Sequence, residues 1–312
     1  MKEALRGGAS HLATGHYASI THNGHGQCQL AMAVDAKKDQ TYFLSGLHHS
    51  LLETTLFPVG GLLKTQVKAI ARETGMAAVA SKKESMGICF IGKRNFASFL
   101  KDYIAPRPGD TVTVDGNFVS RHDGIHLYTI GQGLRLQSQL VRLRVVGKHV
   151  PSNILVVDTD DGCRGSLQSR VFLVGCLRWT GGPPAALHHR LGYECGVRVR
   201  HRGQVTGAVV QHVGPLREAR DGQQVACESV SHAISPPALL APPLPCIGYV
   251  PAHVTEMTSM WESLRATGDC VQVTTSHALE AVAPGQVAAL YRDGVCVGNG
   301  VIMAVTPLSA SL

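Results

Sequence analysis

Ser10-His11-Leu12-Ala13-Thr14-Gly15-His16-Tyr17 reads as the end of a buried strand that runs into a glycine-containing turn. Open α/β sheets commonly meet their ligands at such a turn. Working outward, Leu63, Val67, Ile70 and Ala71 recur at helical spacing, and Gly75 stands where a helix would stop. Lys64, Lys68 and Arg72 share the opposite face of that helix, a solvated stripe or an RNA-facing one. The first hundred residues are therefore expected to be α/β.

The same region carries its most distinctive chemistry in Lys82-Lys83-Glu84-Ser85-Met86-Gly87-Ile88-Cys89-Phe90-Ile91-Gly92-Lys93-Arg94. Cys89 sits in a glycine-bounded loop between two pairs of cations. Positive charge favours a thiolate over a thiol, and Gly87 and Gly92 allow a tight turn and close approach to a substrate. An inert buried thiol is the alternative reading of any single cysteine. After this loop, Asn95 caps a short helix carrying Phe96, Phe99, Leu100 and Tyr103, and Pro106 and Pro108 end it.

Beyond residue 105 the hydrophobic period changes to two. Thr111 to Val114, an Asp115-Gly116 turn and Asn117 to Val119 form an expected hairpin, followed by strands at Ile154 to Asp158 and Val171 to Trp179. Further on, Tyr193, Cys195, Val197 and Val199 alternate with Arg198 and Arg200 and, by extension, Arg202. That alternation predicts one apolar and one cationic strand face. A last hairpin runs from Gln286 to Met303 around Asp293-Gly294. Residues 214 to 260, rich in Pro, Ser and Ala and without steady periodicity, read as a long irregular insert.

Composition narrows the classes. With 44% apolar and 16% charged residues over 312 positions, the chain is globular and long enough for two or three domains. Residues 233 to 250 are uncharged, but five prolines between Pro236 and Pro245 forbid a spanning helix, so no membrane partner is expected. A net charge of +7 and a pI near 9.0 suit a polyanionic partner. The nine cysteines stand no closer than 13 positions apart, which offers no metal-knuckle spacing and fits reduced thiols.

Seven segments, in order, together resemble the tRNA-specific 2-thiouridylase family, and most closely its animal mitochondrial form. They are Ala13 to Ala18, Lys38 to Leu44, Phe57 to Leu62, Lys82 to Phe99, Tyr128 to Gln132, Arg198 to His201, and Pro284 to Gln286. The resemblance implies an adenine nucleotide hydrolase-like α/β domain, present at 1–104 as its C-terminal part. It also implies a central β domain at 105–180 and a C-terminal β-barrel at 181–312 that carries the insert at about 214–260.

The implied activity is ATP-dependent transfer of persulfide sulfur to C2 of the wobble uridine of mitochondrial tRNA. ATP enters with Mg as a substrate, and no permanent cofactor or resident metal is implied. Adenylation turns the poor C2 carbonyl oxygen into a leaving group, and a flipped-out base exposes C2 to the attacking sulfur. By resemblance Cys89 bears the persulfide, received from a sulfur donor protein, and Gly15 contacts the nucleotide through its backbone. His16, Lys38, Asp39, Gln40, Arg200, His201 and Gln286 correspond to tRNA-contacting positions.

The family's Ser-Gly-Gly-Val-Asp-Ser type phosphate loop, and the partner cysteine that forms a disulfide with the persulfide cysteine, are not in this sequence. Cys28 follows Gly15 instead of preceding it and is not a substitute. Gly133 replaces the arginine usual after Gly-Gln. The chain is accordingly expected to be an N-terminally shortened member that neither adenylates nor thiolates by itself and leaves apolar sheet surface uncovered. The alternative function is a catalytically inactive tRNA-binding fragment. A thiol hydrolase using Cys89 finds no supporting signature.

Overall fold

The computed structural model describes residues 6–82, 96–134, 141–188, 192–213 and 270–308. Cys89, Lys83, Lys93, Arg94, the Asn95 cap and the stretch 214–260 lie outside the described residues.

In the N-terminal part, β1 (Leu12–Ala13) pairs in parallel with β4 (Thr55–Leu56). Between them come the antiparallel hairpin of β2 (Ser19–His22) and β3 (Cys28–Ala31), then two single-turn helices, α1 (Thr41–Leu44) and α2 (His49–Leu52). Helix α3 (Lys64–Glu73) and the short α4 (Ala77–Ala80) follow. Thr74 caps α3, and Gly75 takes the left-handed φ of 80° that ends a helix cleanly.

The parallel pairing is that of an α/β sheet, as the sequence predicts. The expected burial of the first strand is not observed. Leu12 is 37% and Leu56 48% exposed, because among the described residues β1 pairs only with β4. The apolar stripe of α3 likewise has no buried member, and Ile70 is 45% exposed.

The central part opens with α5 (Phe96–Lys101) and builds a five-stranded sheet. Its strands are β5 (Gly109–Thr113), β6 (Phe118–His122), β7 (Gly133–Leu134), β8 (Leu143–His149) and β9 (Ile154–Thr159), in the order β6-β5-β9-β8-β7. The predicted hairpin closes as expected, with the Thr113 amide donating to the Asn117 carbonyl. Alternation places Leu143 and Val145 of β8 against Leu155 and Val157 of β9 to make the core of this sheet.

A single-turn helix, α6 (Cys163–Leu167), leads into a closed barrel of six antiparallel strands: β10 (Gln168–Trp179), β11 (Tyr193–Arg198), β12 (Thr206–Val213), β13 (Cys270–Glu280), β14 (Val287–Arg292) and β15 (Val295–Pro307). They run β10-β13-β12-β11-β14-β15, and β15 pairs back onto β10, which removes the open edges. Phe172, Val174, Val197, Val210, Val273, Leu290 and Ile302 fill the interior. Strand β10, placed by the sequence reading with the central β domain, pairs with β13 and β15 and so runs in the barrel. The β14–β15 hairpin turns on Asp293 (φ 51°) and Gly294 (φ 78°), the two positive φ values of a tight type I′ turn.

The N-terminal part shares a core with the barrel. Ala31 of β3 pairs with Val295 of β15, and Ala18, Leu30 and Leu52 pack with Ala289, Tyr291 and Cys296 of the barrel. Burying this apolar surface from both sides makes the two parts one packed body at their junction.

Candidate functional site

The segment from Met32 to Ser45 crosses this junction. The Met32 amide donates to the Gly294 carbonyl at 2.8 Å, holding the start of the segment on the barrel hairpin. Asp39 follows six residues after Ala33, and its carboxylate is fully committed. Oδ1 accepts the Ala33 amide at 3.0 Å, and Oδ2 accepts the Thr41 hydroxyl at 2.7 Å and Arg198 Nη1 at 2.5 Å. The two charged side chains are 0% and 6% exposed. An ion pair this deep carries a large desolvation cost, which the further bonds to the Asp39 carboxylate offset, although Arg198 Nε is buried without a hydrogen-bond partner among the described residues. The Arg198 guanidinium lies 5.2 Å from the centre of the Tyr291 ring, and the Tyr291 hydroxyl donates to Thr41 Oγ1 at 3.1 Å. Burial pushes the Tyr291 phenol well above its ordinary range.

Three further contacts stitch the same junction. The Tyr42 hydroxyl lies 3.1 Å from the carbonyls of both Val199 and Val287. Burial raises the Tyr42 phenol, so it remains a hydrogen-bond donor there. Asn299 Nδ2 donates to Ser45 Oγ at 3.3 Å. The Phe43 ring lies 4.5 Å from that of His201. Burial, followed by the charges of Arg202 and Arg198, lowers the His201 imidazole below its usual value.

A cleft of about 1000 Å³ opens between the Ala36–Asp39 loop and the barrel, with Lys37, Lys38, Arg198 and Arg202 among its walls. Among the described residues, no group of three or more His, Cys, Asp or Glu side chains could hold a metal ion.

The positions singled out in the sequence that the structure describes fall at or beside this junction. Gly15 is exposed on the turn after β1, with open space where a side chain would stand. His16 is half-buried, with Nδ1 2.8 Å from Thr14 Oγ1. Lys38 lines the cleft. Gln40 exchanges two hydrogen bonds with Tyr17: its amide donates to the Tyr17 carbonyl, and its Oε1 accepts the Tyr17 amide at 3.0 Å. Arg200 is exposed and His201 half-buried. Gln286 Oε1 accepts the Ala283 amide at 3.2 Å, which shapes the turn before β14. Cys89 lies outside the described residues.

Two readings need correction. Asp39 is buried and internally bonded, so it does not offer a carboxylate to a partner at the surface. Arg198 does not join Arg200 and Arg202 on one cationic strand face. Strand β11 ends at Arg198, residues 197 to 199 are all buried, and Arg202 has a φ of 65°. The period of two stops where the strand stops. Sequence reasoning missed Tyr42, Tyr291 and Asn299 as junction residues. No local pattern marks them, since their partners lie 245, 250 and 254 positions away.

The Tyr128–Gln132 motif has a structural role. Gly131 takes a φ of 83°, and its amide donates to the Val145 carbonyl. Arg144 reaches Asp160 at 2.5 Å and Glu280 at 3.4 Å, tying the central sheet to the barrel. Among the described thiols, Cys195 and Cys296 are pushed up to about 12 by burial. Cys28 lies 3.5 Å from His22 Nε2 across the β2–β3 hairpin.

Three family models match the chain consecutively: a tRNA methyl transferase HUP domain over residues 1–93, a tRNA methyl transferase PRC-barrel domain over 97–159, and an aminomethyltransferase beta-barrel domain over 259–302. A tRNA-specific 2-thiouridylase MnmA of Staphylococcus aureus is 30% identical over 304 residues, covering 97% of this chain and 66% of that protein. The chain belongs to the tRNA-specific 2-thiouridylase family.

Two other 2-thiouridylases are also similar. That of Levilactobacillus brevis is 39% identical over 75% of the chain and 61% of its own length, and that of Bacillus licheniformis 48% identical over 51% and 42%. The chain thus spans two thirds or less of the length of these relatives. The HUP-type, PRC-barrel and β-barrel succession of the 2-thiouridylase family agrees with the α/β part, the five-stranded sheet and the closed barrel described above. Gly15, His16, Lys38 to Gln40 and Cys89 fall within the HUP match, and Gln286 within the barrel match.

Proposed function

We propose that this chain serves ATP-dependent 2-thiolation of the wobble uridine of tRNA, and that it does so in mitochondria. One observation carries the reading. The segments bearing Gly15 and His16, Lys38 to Gln40, Arg200 and His201, and Gln286 converge on one junction, through the Tyr17–Gln40 pair, the Asp39–Arg198 ion pair and the contacts of Tyr42 with Val199 and Val287. Cations on both sides of the cleft suit the phosphates of an RNA strand.

In this proposal Lys38 and Arg200 meet phosphate, Gln40 and His201 border the target nucleotide, and the exposed Gly15 backbone lies against ATP, which is a substrate. ATP adenylates O2 of the uridine and releases pyrophosphate. The terminal sulfur of a persulfide on Cys89, loaded by a donor protein, then bonds to C2, and AMP leaves with the oxygen. An added thiol, as its thiolate, attacks the Cys89 sulfur and breaks the sulfur–sulfur bond, so Cys89 ends in a mixed disulfide and C2 retains the sulfur.

The test uses the purified 312-residue chain and unmodified tRNA. Binding should weaken steeply with salt, and K38A combined with R200A should weaken it at least tenfold. With ATP, a persulfide sulfur donor and a thiol reductant added, mass spectrometry of the RNA reads 2-thiouridine. The 312-residue chain by itself is expected to bind without thiolating. Formation of 2-thiouridine that C89S abolishes would overturn that expectation, and binding that persists with a steep salt dependence in C89S favours the non-catalytic alternative. Failure to bind tRNA at low salt would overturn both.

A further inference from the structure

We propose that Asp39 and Tyr42 are positioning residues: the Asp39–Arg198 ion pair and the Tyr42 hydroxyl hold the Lys38–Gln40 segment in register with the barrel loops at Arg200–His201 and Gln286, so that one RNA strand meets all three together. The inference rests on the tRNA-binding reading above and assigns Asp39 a role other than touching RNA.

The geometry separates these side chains from the ones beside them. Lys38 and Gln40 are part-exposed, but Asp39 between them is 0% exposed and makes three internal bonds. Its partner Arg198 precedes Val199, whose carbonyl receives Tyr42, and Arg200 and His201 come next. The second carbonyl at Tyr42 belongs to Val287, adjacent to Gln286. One carboxylate and one hydroxyl therefore tie three separate candidate RNA-contacting segments from 159 and 245 positions apart in the chain. Gln40 extends the linkage to Tyr17, next to His16 and two positions from Gly15. A bidentate or multi-bonded buried pair fixes orientation as well as distance, which single surface contacts do not.

The experiment compares D39N, R198M, D39N/R198M and Y42F in the full chain. It measures tRNA affinity across a salt series and hydrogen exchange of peptides covering 32–46, 206–213 and 270–280. Registration predicts that D39N and R198M both weaken tRNA binding about tenfold although they change net charge in opposite directions. Y42F, which leaves charge untouched, should weaken it about threefold. The double variant, free of any unpaired buried charge, should melt within a few degrees of wild type and still bind weakly. Its salt dependence should be shallower, because Lys38 and Arg200 no longer engage together. Exchange should quicken at 32–46 while the β12 and β13 amides stay protected.

K38A serves as the direct-contact control, weakening affinity without changing exchange. If D39N tightens binding while R198M weakens it, bulk electrostatics explains the pair and the proposal fails. It also fails if the double variant and Y42F bind as wild type, because the junction then serves stability alone. Absence of tRNA binding by wild type would instead sink the functional reading, while unchanged exchange at 32–46 in the double variant would refute the latch by itself.

Discussion

Gly60 is the position where one methyl group should do the most damage to the N-terminal part. A Cβ added there would lie 1.7 Å from the Ala18 carbonyl oxygen, 2.8 Å from its carbon and 3.0 Å from Ser19 Oγ. The first two atoms are backbone, which has no rotamer by which to retreat, so the turn carrying Gly60 and the segment at Ala18 must part by more than about 1 Å. Overpacking of this kind costs about 1–3 kcal/mol or somewhat more. Separation also strains the 3.0 Å bond from the Val34 amide to the Gly60 carbonyl, worth about 1 kcal/mol.

The sum for Gly60→Ala is about 3 kcal/mol, roughly two orders of magnitude in the unfolding equilibrium. Gly61, one residue on, has nothing within 4 Å of its added Cβ, so Gly61→Ala should stay within about 0.5 kcal/mol of wild type. Urea unfolding followed by circular dichroism compares the two directly. Because Ala18 follows the Gly15–Tyr17 turn, Gly60→Ala should also weaken tRNA binding where Gly61→Ala does not. Equal midpoints for the two variants would refute the close-approach argument.

Two other expectations concern titration. Cys195 and Cys296, both pushed up to about 12 by burial, should resist iodoacetamide at pH 8 in the native chain and react once urea exposes them; native labelling of either would contradict their burial. His201, lowered first by burial against its surroundings, should titrate below about 6.5 in a proton NMR series. The sign follows from linkage. A histidine depressed in the folded state contributes stability above its ordinary pKa and loses it as the pH falls through the depressed value, so acidification should loosen the His201–Phe43 contact. Phe43→Ala should move the midpoint upward. A midpoint at or above the ordinary histidine value would contradict the half-buried placement of His201 beside Arg198 and Arg202.

How far the fold could be read from local pattern depends on the range of the forces involved. Gly75 as a helix stop, Asp115-Gly116 and Asp293-Gly294 as turns, and the alternation of Leu143 and Val145 are consequences of backbone sterics and period, which a short window of sequence contains. Arg198 shows where that window fails. Its alternation with Val197 and Val199 places it outward with Arg200, but an aspartate 159 positions earlier draws it inward. Asp39 was equally illegible, because a carboxylate between a lysine and a glutamine looks like a polar turn until its three donors are assembled around it.

The chain's own pattern was sufficient for the order of α/β and β parts, for the tight turns, and for the family through seven ordered motifs, because each of these depends on residues close in sequence. Only the tertiary structure decided that the barrel closes through β10 and β15, that α3 presents its apolar stripe to solvent, and that Asp39, Tyr42 and Arg198 form a buried junction. Those outcomes depend on which distant surfaces meet. The Asp39 carboxylate is held inside because its three donors are delivered together, and no stretch of the sequence holds them all.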